Sequence, residues 1–583
     1  MIIYGNNKEL LSYNEALGRI QTLINHLEFE SYSGHNSADE LLITTGEFEA
    51  ALTDLLCPET DSVDELILLL RSLSLYSAHI FISQLKRNQA ETRKWIAAFK
   101  EKLPALKNYN ISSLLTYNVP EGYAFYSLYP EMYLKSADNF FNIFFPSEVT
   151  VIGIRSIGTS LSAIVAARLE ESGSRVRSLT VRPRGFYFDR KLVIDMELEE
   201  ELKASHHGYY LIVDEGPGLS GSSFTSVAER LNSLGINDDR IVFFPSYKTD
   251  GQNFVSEKSK AIWMKHMKFH SEFEDVISIR GIFPEYAGEV KDVSAGMWRN
   301  VVFKNAEEFP PVYPNFEQRK YLSEDNKYLI KFAGLGRYGR DLFERAEILA
   351  SEGFSPQALA FENGFILSRF IEGKPLSTSD VNVSLLDRAA SYLVFLKRAF
   401  PNSSSRTYTE TEEMISVNLM KGLGDEWSDR FMRLRASLKP LFSTAATALD
   451  GRILPFEWLG SNGNYIKTDS IHHHKDHFFP GCQDIMYDLA GFITEFSLGK
   501  EEEQYFIQSY IKQSGDKDVE SRLPFYFIFY NAFRLGMTQF SAQMSPDPEK
   551  QKFQLLSSKY SNNLKNLLMH VGASGGSPWT VIK

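Results

Sequence analysis

The sequence predicts an α/β protein built on an open parallel sheet, with a helical region before it and an α+β domain after it. Three observations predict this. From about residue 114, short β-branched runs alternate with helical stretches, the pattern of parallel strands joined by helices. Before that point, apolar residues recur every three or four positions, which is the helical period. After the proline-containing stretch EEFPPVYPNFEQ (307–318), strand and helix runs resume and then give way to helices. A chain of 583 residues is long enough for several domains. We place them at 1–112, 113–300 and 310–570.

The helical region contains ADELLITTGEFEAALTDLL (38–56) and a long run over 61–103. No catalytic pattern stands in either, so a packing or regulatory role is expected. In the middle region VTVIGIRS (149–156) reads as a strand, SLSAIVAARLEESG (160–173) as its helix and RVRSLTVRPRG (175–185) as a second strand. YYLIVDE (209–215) is a third strand, SFTSVAERLNSLG (223–235) its helix, and RIVFFPS (240–246) a fourth. In the last region KYLIKFAG is a strand and RDLFERAEILASEGF a helix. NGFILSRFIEGKPL is either a strand pair or a strand and turn. The tail VGASGGSPWTVIK is expected to be mobile.

The net charge of −12 argues against a general nucleic-acid or membrane-surface binder, because such partners need a basic footprint. Two cysteines far apart, Cys57 and Cys482, form no disulfide framework and fit a reducing cytoplasm. The start, MIIYGNNKELLSYNEAL, has no basic head before an apolar core, so no signal peptide is expected. No stretch reads as long and apolar enough to span a bilayer.

The chemistry concentrates at two strand ends. In an open α/β sheet, ligands bind beyond the carboxyl ends of the strands. LIVDEGPGLSGSSF (211–224) delivers Asp214 and Glu215 to a turn of small residues and hydroxyls, with a helix behind it. Small residues let backbone amides come close to a ligand. A helix start points free amides and a positive dipole end at an anion. Ser220, Ser222 and Ser223 add hydroxyls. This is a phosphate cradle beside two carboxylates, which suits a phosphorylated sugar or a phosphate arriving with Mg²⁺.

Residues 149–250 resemble a type I phosphoribosyltransferase. That family has a strand ending in two acidic residues, then a short loop with hydroxyls and glycine, then a helix; here this is LIVDEGPGLSGSS. Its earlier pyrophosphate loop is similar to IRSIGTSLSAIVAARL. The resemblance implies an open sheet of phosphoribosyltransferase type, with phosphoribosyl pyrophosphate as substrate and Mg²⁺ as cofactor. It implies that Asp214 and Glu215 contact the ribose hydroxyls, and that Ser220, Gly221, Ser222 and Ser223 hold the 5′-phosphate. Arg155, Ser156, Gly158 and Thr159 would face the pyrophosphate, joined by Arg182 and Arg184. The loop between the acidic pair and the glycine has five residues, GPGLS, where the family has four. The acceptor is unidentified. FYFDRKLVIDMELEEELKASHHG (186–208) is a candidate cover against water, although its acidic helix also reads as a solvated face. EGYAFYSLYPEMYL (121–134) either stacks on a base or fills a core. GIRSIGTS also has the spacing of a nucleotide P-loop, with Thr159 where the lysine belongs; a degenerate P-loop ATPase is therefore an alternative.

KYLIKFAGLGRYGRDLFERAEILASEGF followed by NGFILSRFIEGKPL is similar to the small lobe of an aminoglycoside-phosphotransferase-like kinase. The resemblance implies ATP as a further ligand, Lys331 as the strand lysine and Glu344 or Glu347 as its helix partner. It implies Asp469 as a metal-binding aspartate, Glu457 in place of the metal-binding Asn, and a structural segment carrying Asp484 and Asp488. No His–Asp–Asn catalytic loop is visible before Asp469. HHHKDH (472–477) is the densest titratable cluster; either its imidazoles and Asp476 bind a metal or phosphates, or it is a polar loop. Two functional readings follow. One is an enzyme that transfers a phosphoribosyl group, its kinase-like domain acting on the same or a related substrate. The other is a regulator that senses nucleotides or phosphoribosyl pyrophosphate without turnover.

Overall fold

The computed structural model describes the chain except for residues 5–7, 30–35, 187, 205–207, 219, 287, 403–405, 462–463 and 571–583. The tail expected to be mobile, Leu219 of the acidic loop, and His206 and His207 of the candidate cover fall outside the described residues. The protein is mixed α/β, with helices in the majority.

Five parallel strands form the central sheet, in the order Arg175–Val181, Glu148–Ile154, Tyr209–Val213, Ile241–Phe244 and Met267–Lys268. The first four are the strands expected from the sequence; the last has two residues and carries no readable pattern. Side chains alternate between two cores because a strand has period two. Val149 and Val151 enter one core, and Ile152 and Ile154 the other. The helix Ile157–Glu171 covers the first face and the helix Ser222–Ser233 packs into the second.

The helical region lies against this sheet. Its helices Asn36–Leu56 and Glu65–Leu85 share a core with Leu161, Val213 and Phe244. The same core continues into Ile330, Phe332 and Phe365 of the C-terminal region. Arg71, on Glu65–Leu85, fastens the layers by donating to Thr159 O at 2.9 Å, Ser162 Oγ at 2.9 Å and Ser178 Oγ at 2.7 Å. Contrary to the expectation that no stretch is long and apolar enough to span a bilayer, Glu65–Leu85 passes by length and composition. Here it is a packed helix, with 72% of its most apolar window inside the protein.

The candidate cover is docked. It starts within the hairpin Arg184–Phe186 and Asp189–Lys191, and continues into the helix Met196–Lys203, which buries Leu198 and Leu202. The carboxylate of Asp195 caps that helix by accepting from Leu198 N at 2.8 Å.

The C-terminal region opens with a five-stranded antiparallel sheet. Its order is Val290–Asp292, Lys320–Ser323, Tyr328–Phe332, Phe365–Arg369, Ala358–Glu362. The edge strand Val290–Asp292 comes from before the expected start at 310. The helix Arg337–Ser351 follows the strand that carries Lys331. A helical portion closes the chain around Leu393, Tyr487, Phe529 and Leu564.

Candidate functional site

Strand order fixes the first site. From Glu148–Ile154 the chain steps to Arg175–Val181 on one side, then returns to Tyr209–Val213 on the other. The sheet's order reverses between these strands, which opens a crevice at their carboxyl ends. Arg155 and Ser156 lie at one end, Asp214 and Glu215 at the other.

Two glycines make the crevice possible. A Cβ on Gly158 would sit 2.7 Å from Val213 O and 3.1 Å from Asp214 Oδ1, so only glycine lets the helix start rest on the acidic strand end. Gly221, at φ +63°, would drive a Cβ to 2.3 Å from Phe254. Gly153 lies inside the strand and Gly158 inside the helix, and only Arg155 and Ser156 separate the two elements. That is too short to wrap a phosphate, so the P-loop reading of GIRSIGTS is corrected.

Asp214 and Glu215 are half-buried. Gly122 N donates to Glu215 Oε2 at 3.0 Å, and Tyr133 Oη donates to Asp214 O at 2.5 Å. Burial pushes the Asp214 carboxyl up to about 7, with Arg182 and Arg190 pulling the other way. Burial pushes Glu215 to about 8, with the charges of Glu121 and Asp214 adding to it. Glu121 itself rises to about 7 through burial and Asp476.

Around this pair the expected residues divide. Ser220 Oγ and Ser222 Oγ lie 3.0 Å apart at the helix start, and Ser223 Oγ accepts from Arg190 at 2.6 Å. Ser156 adopts φ +114°, an uncommon conformation for serine. Arg155 does not face an open pyrophosphate site. Its side chain is 1% exposed and closed by Asp54 at 2.7 Å and by Asp61. Arg184 is likewise turned away, to Asp61 at 2.9 Å and Pro58 O at 3.0 Å. The Thr159 hydroxyl is buried without a partner. Arg182 is tied to Asp54 through Nε at 3.1 Å, yet its charge still reaches Asp214. The sequence reading missed three residues here: Asp54, Asp61 and Arg190. EGYAFYSLYPEMYL is mostly core, with Tyr123, Tyr129 and Tyr133 buried and Tyr126 exposed.

The second constellation is built around Lys331. Its ammonium donates to Asp469 Oδ1 at 2.6 Å and lies 3.2 Å from His472 Nδ1. Glu344 and Glu347 are exposed and are not its partners. The helix turns Leu342, Arg345, Ala346 and Leu349 inward. Arg345 donates to the carbonyls of Ser470, Ala448 and Leu449 at 3.3, 2.9 and 3.2 Å. The Asp488 carboxylate accepts the backbone N–H of Asp450 and of Gly451, each at 2.9 Å, and so fixes the turn before Glu457. Asp450 was missed. It sits two residues before RILPFEW, is fully buried beside Lys467, and accepts from Tyr392 Oη at 2.6 Å.

The residues expected to hold a metal do not fit one. Glu457 is taken by Arg452 at 2.6 Å and Lys467 at 2.8 Å. Asp469 is taken by Lys331 at 2.6 Å and Arg452 at 3.1 Å. Asp469, His472 and His473 do bring three ligand atoms within 4.8 Å of one another. The two cations already on Asp469 repel a third. Burial and the neighbouring cations hold His472 and His473 well below the ordinary imidazole range.

The two constellations meet along residues 121–129. Tyr126 Oη lies 2.6 Å from His477 Nε2, and Leu335 N donates to Tyr123 O at 2.9 Å.

No family model and no curated protein matches the chain. Among solved structures it is similar to the choline kinase LicA from Streptococcus pneumoniae at 16% identity, covering 42% of this chain and 90% of that one, with a TM-score of 0.31. It is similar to a choline/ethanolamine kinase family protein from Mesorhizobium loti at 15% identity, covering 48% and 89%, with a TM-score of 0.34. It is also similar to the GDP complex of an aminoglycoside 2′-phosphotransferase-IIIa at 14% identity, covering 49% and 97%, with a TM-score of 0.33.

Proposed function

We propose that this chain is a phosphoribosyltransferase-type enzyme, joined to a kinase-like region that binds a related phosphorylated ligand. One observation carries the reading. Asp214 and Glu215 stand at the switch point of a parallel sheet, beside a glycine-spaced helix start and a serine cluster at a second one. In this reading the two carboxylates accept hydrogen bonds from the ribose hydroxyls. The serine hydroxyls and the amides at the start of Ser222–Ser233 hold the 5′-phosphate. Arg182 and Arg190 set the positive side of the crevice and favour the ionised form of Asp214.

The acidic pair also fits Mg²⁺. Arg182 spends its ion pair on Asp54, and Glu215 accepts from a backbone amide. When bound, Mg²⁺ would carry the pyrophosphate and neutralise charge on the leaving group. The chain's own contribution is to orient the sugar, present donors to the phosphates and exclude water.

The test is pyrophosphate release from phosphoribosyl pyrophosphate with Mg²⁺, across a panel of nucleobase and amine acceptors. Steady release that Asp214→Asn/Glu215→Gln abolishes supports the enzyme. A second reading, a sensor without turnover, is favoured by the ion pairs that occupy Glu457 and Asp469. Saturable binding with no release by any acceptor supports that reading.

A further inference from the structure

The kinase-like region contains a closed set of charges. Lys467 is fully buried, and its ammonium lies 2.8 Å from Glu457 Oε2 and 3.4 Å from Asp450 Oδ2. It also donates to the backbone carbonyl of Asp469. Oxygens from three residues therefore converge on one nitrogen, an arrangement that otherwise suits a hard cation. Arg452 bridges Glu457 Oε1 at 2.6 Å and Asp469 Oδ2 at 3.1 Å. Lys331 holds the other Asp469 oxygen at 2.6 Å. Asp450, Glu457 and Asp469 are thus matched by Lys331, Arg452 and Lys467, three against three.

A divalent ion binds where negative charge is left over. Within this set none is, and an added ion would meet three fixed cations in a medium of low dielectric. Removing one cation reverses the balance and strands a buried carboxylate. The most open member of the set is a cation, since the Arg452 side chain is 30% exposed against 17% for Asp469 and 13% for Lys331. That cation suits a phosphorylated anion.

We propose that Lys467 stands permanently in the place of a divalent cation, so that this site takes a nucleoside polyphosphate without Mg²⁺. The proposal rests on the reading of the Lys331–Asp469 site as a nucleotide site.

The experiment titrates ATP into the full chain by calorimetry, once with EDTA and once with excess Mg²⁺. Asp214→Asn/Glu215→Gln is used as the background, to silence the other site. The affinities are expected to agree within about threefold, and a loss beyond about tenfold in EDTA overturns the proposal. Lys467→Met is expected to bind ATP at least about tenfold more weakly in EDTA and to recover when Mg²⁺ is added. A second measurement does not depend on that variant folding. Mn²⁺ binding, followed by electron paramagnetic resonance, is expected to be the same in this background and after Asp469→Asn. A Mn²⁺ ion lost with Asp469 overturns the replacement of metal by lysine. No ATP binding in either buffer, with unchanged Mn²⁺ binding, overturns the nucleotide reading and leaves the lysine in the metal's place.

Discussion

Asp61 gives the sharpest test of how the helical region supports the first site. Its carboxylate is 1% exposed and does three jobs at once. It pairs with Arg155, pairs with Arg184 at 2.9 Å, and accepts the backbone N–H of Arg182 at 2.6 Å. Asp61→Ala leaves the Arg155 guanidinium, itself 1% exposed, with Asp54 and Thr180 O as its partners. Breaking a buried ion pair from one side costs about 3–5 kcal/mol, and an orphaned buried amide costs about 1–3 kcal/mol. These terms share one loop and do not add, so about 3–5 kcal/mol is expected. A chain of several regions need not unfold in one step, so the readout should be local. Hydrogen exchange by mass spectrometry should show Glu148–Ile154 and Arg175–Val181 losing protection by at least about 100-fold, the equivalent of about 3 kcal/mol. The helices around Tyr487 and Phe529 should be unchanged. Asp61→Asn keeps the shape and one acceptor and should cost less. A loss below about fivefold in the two strands for Asp61→Ala would refute the claim that this ion network orders the loop.

Other predictions follow from the same geometry. The raised carboxyls of Asp214 and Glu215 keep their protons to about 7 and about 8 in the folded chain, against about 4 when unfolded. Their contribution to stability is therefore full below about pH 4 and is lost as pH rises toward 8. Binding of Mg²⁺ with phosphoribosyl pyrophosphate, which needs the ionised pair, should strengthen between about pH 6 and 8.5; calorimetry across that range checks it. Gly158→Ala should cost about 1–3 kcal/mol and weaken ligand binding, because its Cβ meets the Val213 carbonyl at 2.7 Å. Glu344→Gln and Glu347→Gln, both exposed, should change melting by no more than the equivalent of about 0.5 kcal/mol. Glu495 lies in the core, with Tyr530 and Tyr560 donating to it at 2.7 Å and the Arg534 guanidinium forming an ion pair with it at 3.5 Å. Glu495→Ala should cost about 3–5 kcal/mol in denaturant unfolding. The Glu495 carboxyl is held below its ordinary value, so its stabilisation should be lost as pH falls below about 4.

Local pattern was readable in the sequence, and distant partnership was not. The four main strands of the parallel sheet, the acidic strand end and both unusual turns follow from periodicity and composition within a few residues. Arg155 and Asp54, by contrast, are 101 positions apart, and Lys331 and Asp469 are 138 apart. No spacing rule reaches that far, so three arginines were expected to face a pyrophosphate when helix and loop acids had already claimed them. Glu344 and Glu347 were a different error. The spacing of Leu342, Ala346 and Leu349 already sets the inward face of that helix at a period of 3.6, and Arg345 falls on it while the two glutamates do not. Asp450 stands in no His–Asp–Asn pattern, so no local motif marks it out. Lys467 reads as one more polar residue on a short strand until its three oxygen neighbours are seen.

The most direct measurement of the central claim is calorimetry of phosphoribosyl pyrophosphate with Mg²⁺, on the native chain and on Asp214→Asn/Glu215→Gln. Saturable binding to the native chain that the double substitution abolishes is expected. No binding by the native chain, or binding that the double substitution leaves intact, would contradict the claim.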